Sequence, residues 1–133
     1  MKKIYVCEDS ITGIFSGIYD AWKSQRSEEE CGIALRGEIE QQLFCEYEEV
    51  EQSMQKAAAV ERLIKRHLGM QAYYDIYHAV LAEDAKKGDA VLGTMLAAKK
   101  IPNSLKVMEH LSHPEVERVF ELSRKVGNEA HLT

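Results

Sequence analysis

Arg124, Gly127, Asn128 and His131 have the residue types and spacing in this 133-residue chain that best suit a binding site. On a helix advancing about 100° per residue, Gly127 and His131 return to within about 20° of Phe120, and Arg124 to within about 40°. Arg124, Gly127 and His131 therefore share one stripe at the edge of an apolar face, with Asn128 flanking it, while Lys125 and Glu129 point away. A glycine between an arginine and a histidine leaves a notch wide enough for a ligand, a phosphate or another backbone. Arginine recognises carboxylate or phosphate bidentately, and histidine donates, accepts or shuttles a proton. The structural alternative is a helix-packing glycine beside a snorkelling arginine and a hydrogen-bonded histidine.

Three other constellations carry possible chemistry. Tyr73, Tyr74 and Tyr77 have the types of a base-stacking platform, but their helical spacing suits a core face for two of the three. Arg62, Lys65, Arg66, Lys86, Lys87, Lys99, Lys100, Arg118, Arg124 and Lys125 all lie in the C-terminal part. Several of them on one face would make a phosphate-binding surface, although interleaved glutamates weaken it. His110 and His113, with Glu109 and Glu115, look like metal ligands until capping accounts for His113 and Glu115. Glu46, Glu48, Glu49 and Glu51 read as a solvated acidic edge. Cys7, Cys31 and Cys45 lack the spacing of a zinc or iron–sulfur site and read as reduced, partly buried thiols. No P-loop, nucleophile elbow, H-E-x-x-H or dinucleotide fingerprint is present. Neither metal nor cofactor is expected.

The elements that must position these groups follow from periodicity. Residues 2–8 read as a strand, with β-forming Ile4, Tyr5 and Val6. Asp9-Ser10 offers a cap for a helix in which Ile11, Ile14, Phe15, Ile18 and Trp22 share a face. Gly13 and Gly17, one turn apart inside that pattern, point to close approach of another backbone; a phosphate cradle would need them before the helix. Residues 33–36 and 42–50 read as extended. Beyond Ser53 the chain turns helical. Ala57, Val60, Ile64, His67 and Leu68 form one stripe, ended by Gly69. A second helix starts near Met70 with Tyr73, Tyr77, Val80 and Leu81 inward. A third is capped by Asp89, with Val91, Leu92, Met95 and Leu96 inward. A short helical turn spans 105–111. The last helix opens on a capping box in Ser112-His113-Pro114-Glu115 and turns Val116, Val119, Phe120 and Ser123 to the core.

Composition bounds the class. The chain is 45% apolar and 29% charged, which is globular, and its length fits one domain over 1–133. The expected fold is α+β and mostly α-helical, with about five helices and one or a few short strands near the N-terminus. The net charge of −5 excludes a generally basic nucleic-acid coat. Residues 1–50 carry net −6, so the remainder is nearly neutral and a local basic face is allowed. Neither a signal peptide nor a membrane span is read, so a cytoplasmic protein without a membrane partner is expected.

Three segments together resemble a known family. They are Ile4-Tyr5-Val6-Cys7-Glu8-Asp9-Ser10-Ile11-Thr12-Gly13-Ile14-Phe15 with Tyr19-Asp20-Ala21-Trp22, then Tyr74 to Asp84, and Val116 to Val119 followed by Arg124-Lys125-Val126-Gly127-Asn128-Glu129-Ala130-His131. The last is similar to the family's most specific motif. The family is a bacterial domain of unknown function labelled "probable DNA metabolism protein". Its members are encoded beside a radical S-adenosylmethionine protein and often continue into a uracil-DNA-glycosylase-like domain. Here Glu8-Asp9-Ser10 replaces the family's Asp-Gly-Ser-like turn. The family pattern runs on past the Glu-Ala-His segment, so this chain is expected to be an incomplete version of that domain. The glycosylase activity is not carried over.

The resemblance implies an accessory or binding domain in bacterial DNA metabolism or repair, partnered by a radical S-adenosylmethionine protein or by DNA. Two alternatives stay open. One is an enzyme acting on a nucleotide-like substrate through Arg124 and His131. The other is a purely structural protein-interaction module.

Overall fold

The computed structural model describes residues 1–38 and 44–131, with side chains in the last helix through Gly127. The expected extended stretch at 42–43 lies outside the described residues. The fold is α+β and mostly helical. Among the described residues it has three strands, five α-helices and one 3₁₀ turn. β1 (Lys2–Cys7), α1 (Ile11–Lys23), β2 (Cys31–Leu35) and β3 (Cys45–Glu49) come first. α2 (Met54–His67), α3 (Met70–Leu81), α4 (Lys87–Ala98), the 3₁₀ turn (Ser104–Glu109) and α5 (Pro114–His131) follow.

β1 lies centrally, with β2 and β3 on either side, both parallel to it. Lys3 pairs with Cys31 and Cys7 with Leu35 on one edge, while Lys2 pairs with Cys45 and Val6 with Glu49 on the other. A parallel pair needs a crossover, and α1 supplies it between β1 and β2. Two of the three glutamates of β3 are paired: Glu48 meets Lys3 at 2.9 Å and Glu49 meets Arg36 at 2.6 Å. Arg36 also pairs with Glu8 at the carboxyl end of β1.

α1 starts at Ser10, whose hydroxyl accepts from the Gly13 amide at 2.9 Å. Such a cap stabilises a helix by about 1 kcal/mol. The two glycines of α1 do bring chain segments together. A Cβ at Gly13 would strike the Glu8 carbonyl, and one at Gly17 would overlap Cys7 Sγ. α2 packs on α1 through buried Val60 and Ile64, and Ser53 caps it. The Ser53 amide donates to the fully buried Ser16 hydroxyl at 2.9 Å, which ties the start of α2 to α1. Gly69, at φ 92°, releases the chain from α2 in a conformation that other residues resist.

Four details differ from the sequence expectation. α4 is buried on nearly all sides, from Lys87 and Gly88 through Ala98, so a one-sided apolar face does not describe it. Asp89 does not cap α4; its carboxylate accepts the Ile33 amide at 2.7 Å and covers part of the outer edge of β2. The inward stripe of α3 is Ala72, Asp75, Ile76, Ala79 and Val80, which leaves Leu81 and Tyr74 exposed and Tyr73 and Tyr77 half-buried. At the start of α5, the His113 ring accepts the Glu115 amide at 3.3 Å, so His113 takes the capping role expected of Ser112. α5 packs on α3 and α4 through Val116 and Val119, and the buried Ser123 hydroxyl donates to Asp75 at 2.9 Å.

Candidate functional site

The α5 stripe is solvent-facing at Arg124, whose guanidinium lies 5.4 Å from the Phe120 ring centroid. A Cβ built on Gly127 would meet nothing within 4 Å. Among the described residues, then, nothing packs against this glycine. Asn128 and His131 continue the helical backbone of α5, but their side chains lie outside the described residues.

The cations of the C-terminal part are dispersed, with one concentration. Lys87 is buried, and Arg118 lies 3.5 Å from Asp84. Arg62, Lys65 and Arg66, by contrast, share the exposed side of α2, where the helix repeat puts positions i, i+3 and i+4 together. With Ala59, Leu63 and His67 they line a shallow concavity of about 560 Å³. Leu63 and His67 also line a second concavity, of about 500 Å³. Its other walls are Trp22, Leu68, Met95, Ala98, Lys99, Ile101, Pro102 and Ser104. The Lys99 ammonium sits 5.0 Å from the Trp22 ring centroid. Ser104 donates to the His67 carbonyl at 2.5 Å, joining the end of α2 to the 3₁₀ turn at the groove's rim. Among the described residues no aspartate or glutamate lines either concavity.

Local sequence signals explain half of this groove. The cationic side of α2 is visible in the spacing of Arg62, Lys65 and Arg66. The part played by Trp22 is not, because Trp22 follows Ile18 by one helical turn and reads as core. It is in fact half-buried, at the end of α1 where the buried face meets solvent. Tyr74, the most exposed tyrosine of α3 at 52%, stacks on His78 with ring centroids 4.1 Å apart and is not part of the groove.

A third concavity, of about 690 Å³, has the opposite character. Glu28, Glu29, Asp89 and Glu115 line it, with Lys2, Lys100 and the Cys31 thiol. Burial raises the Asp89 carboxyl above the ordinary carboxylate range, and the Ile33 amide offsets part of that. Burial, then the charges of Glu28 and Asp89, raises Glu115. A carboxyl whose folded pKa is raised holds its proton more tightly in the folded chain than in the unfolded one. Its contribution is present at low pH and is lost as pH climbs through the raised value. Glu115→Gln removes that penalty, so its melting temperature should exceed wild type at neutral pH. The difference should close towards about pH 4, as the wild-type carboxyl takes up its proton. Thermal melts across that range check this; a Glu115→Gln curve below wild type at pH 7 would contradict it.

Other groups offer less chemistry. Burial, then the nearby Asp20 charge, pushes the Cys7 thiol up to about 12, so it stays protonated at neutral pH and is a poor nucleophile. Among the described residues no group of three or more His, Cys, Asp or Glu side chains is arranged to hold a metal ion. Among the described residues no helix is long and apolar enough to cross a membrane. Compared with known proteins, the chain matches no family model, no curated protein and no solved structure.

Proposed function

We propose that this chain is an accessory nucleic-acid-binding domain of bacterial DNA metabolism, working beside a radical S-adenosylmethionine partner. The observation that carries the reading is a pair of adjoining concavities that share Leu63 and His67, the groove beside Trp22 lined by Lys99 and the shallow one on α2 lined by Arg62, Lys65 and Arg66, with no carboxylate in either lining among the described residues. The net charge of −5 opposes a polyanion only at long range. At physiological ionic strength the Debye length is about 8 Å, so the local cations decide what docks here. Lys65 is shared, since it lies 3.7 Å from Glu61 and over the Tyr73 ring. The other three cations carry most of the phosphate contact. The partner protein and the setting in DNA metabolism rest on the sequence resemblance.

Fluorescence anisotropy with labelled oligonucleotides over a salt series tests the reading. Three to four phosphate contacts give a log–log salt slope of about −2 to −3 for a single strand, and Arg66→Ala should flatten it by about 0.7. Arg124→Ala run alongside reports whether the strand also crosses the open edge of α5. Absence of binding at about 50 mM salt would overturn the proposal and turn the search to a protein partner.

A further inference from the structure

We infer that the groove beside Trp22 is a base slot for single-stranded nucleic acid, holding one unpaired base against the indole while Lys99 and the outer side of α2 take the flanking phosphates. This inference rests on the nucleic-acid reading above and names the form of nucleic acid that the same surface selects.

The groove's shape and chemistry both favour a flat aromatic guest. Its volume of about 500 Å³ lies in the range of small-ligand pockets. Its floor is apolar, built by Leu63, Met95, Ala98 and Ile101. One wall is an indole, the best ring for stacking on a base or a cation. What lies over that indole is the Lys99 ammonium, 5.0 Å from the ring centroid and carried on an exposed, flexible stem. A base can displace it, and the ammonium then sits beside the strand as a phosphate partner. A duplex cannot use this slot, because its bases are stacked inside and only its phosphates reach the rim. The shallow concavity of about 560 Å³ extends the cationic surface along α2, away from the indole. One free nucleotide would leave that extension idle, so a strand is the guest that the surface fits.

Trp22 is the chain's single tryptophan, so its emission reports the slot directly. The full chain is titrated with an oligothymidylate of about twelve nucleotides, a typical single-strand site size, with emission and anisotropy followed at the same salt. Quenching should saturate in step with anisotropy. An abasic strand of equal length should bind about tenfold more weakly, as expected for one lost stacking contact, and leave the emission unchanged. A duplex should bind at low salt without quenching. Trp22→Phe, which keeps a ring, should stay within about threefold of wild type. Trp22→Leu risks the packing of α1, so Lys99→Ala, at an exposed position, serves as the second variant and should weaken the oligothymidylate about fivefold. Strand binding with unchanged emission and no penalty for the abasic strand would overturn the slot and leave the binding reading standing. Thymidine monophosphate quenching at the same concentration as the strand would overturn the assignment to a strand. No binding of any oligonucleotide would overturn both.

Discussion

Replacing Gly17 with alanine is expected to destabilise the protein by about 2–3 kcal/mol, the upper part of the overpacking range. Helix propensity alone predicts the reverse, a gain of about 1 kcal/mol for alanine over glycine inside a helix. Packing wins because the new methyl would overlap Cys7 Sγ, which sits fully buried in the central strand. The clash has a single owner. With the sulfur gone, the nearest atoms to that methyl are Cys7 Cβ at 3.6 Å and Ile33 Cδ1 at 3.7 Å, both ordinary contacts. In a Cys7→Ala background, therefore, Gly17→Ala should cost nothing or return the propensity gain. Urea unfolding of the four proteins measures a coupling of about 2–3 kcal/mol, near the ceiling for residues in direct contact. Additivity within about 0.5 kcal/mol would mean that α1 shifts off the sheet to admit the methyl, and that Gly17 does not set the helix–strand spacing.

A close approach at these glycines was legible from the amino-acid order, because two glycines one turn apart inside an apolar helical pattern have few other uses; the expected backbone lies at Gly13, whereas Gly17 meets the Cys7 sulfur. Legible too were β1, the cap at Ser10, the turn to helix beyond Ser53 and the release at Gly69, each decided within a few residues of its own position. Features decided elsewhere were not. A helix buried on all sides has no polar face to betray it, so Val91, Leu92, Met95 and Leu96 alone suggest one inward stripe where α4 is in fact surrounded. Asp89 has the same spacing whether its carboxylate turns back to its own helix or, as here, across to the edge of β2. The order of the three strands depends on pairings some thirty to forty residues apart, as between Lys3 and Cys31 or Glu46. The groove combines a residue at the end of α1, a stretch of α2 and the α4 exit. Local spacing shows only its cationic side. Trp22 joins those parts only once α1 and α4 lie side by side.

The buried Lys87 sets the second large effect, and its sign depends on which partner is removed. The residue is 3% exposed, yet its ammonium has two partners: Asp9 Oδ1 at 2.6 Å and the Ala82 carbonyl at 2.8 Å. The Asp9 side chain is 59% exposed, so the pair has one end in the interior and the other in water. Asp9→Ala leaves an ammonium in the interior with one carbonyl for company. It should cost about 2–3 kcal/mol, below the range for a pair buried at both ends because water reaches the vacated side. Lys87→Met removes the charge and keeps an unbranched stem in the buried position. Its main loss is the bond to the Ala82 carbonyl, about 1 kcal/mol, and the remaining Asp9 carboxylate stays hydrated. Asp9→Ala should therefore be the more damaging change, and adding it to Lys87→Met should cost little more. A denaturant series on the two single variants and the double decides the order. If Lys87→Met is the worse variant, the ammonium is not stranded when Asp9 goes, and the pair matters for its geometry alone. The consequence reaches the groove. Asp9 adjoins Ser10, which caps α1, and α1 carries Trp22 at its far end. Loosening that turn frees the helix whose last residues wall the groove, so Asp9→Ala should also weaken the proposed oligonucleotide binding, whereas Lys87→Met, which keeps Asp9 and its hydrated carboxylate beside the cap, should leave it nearly intact.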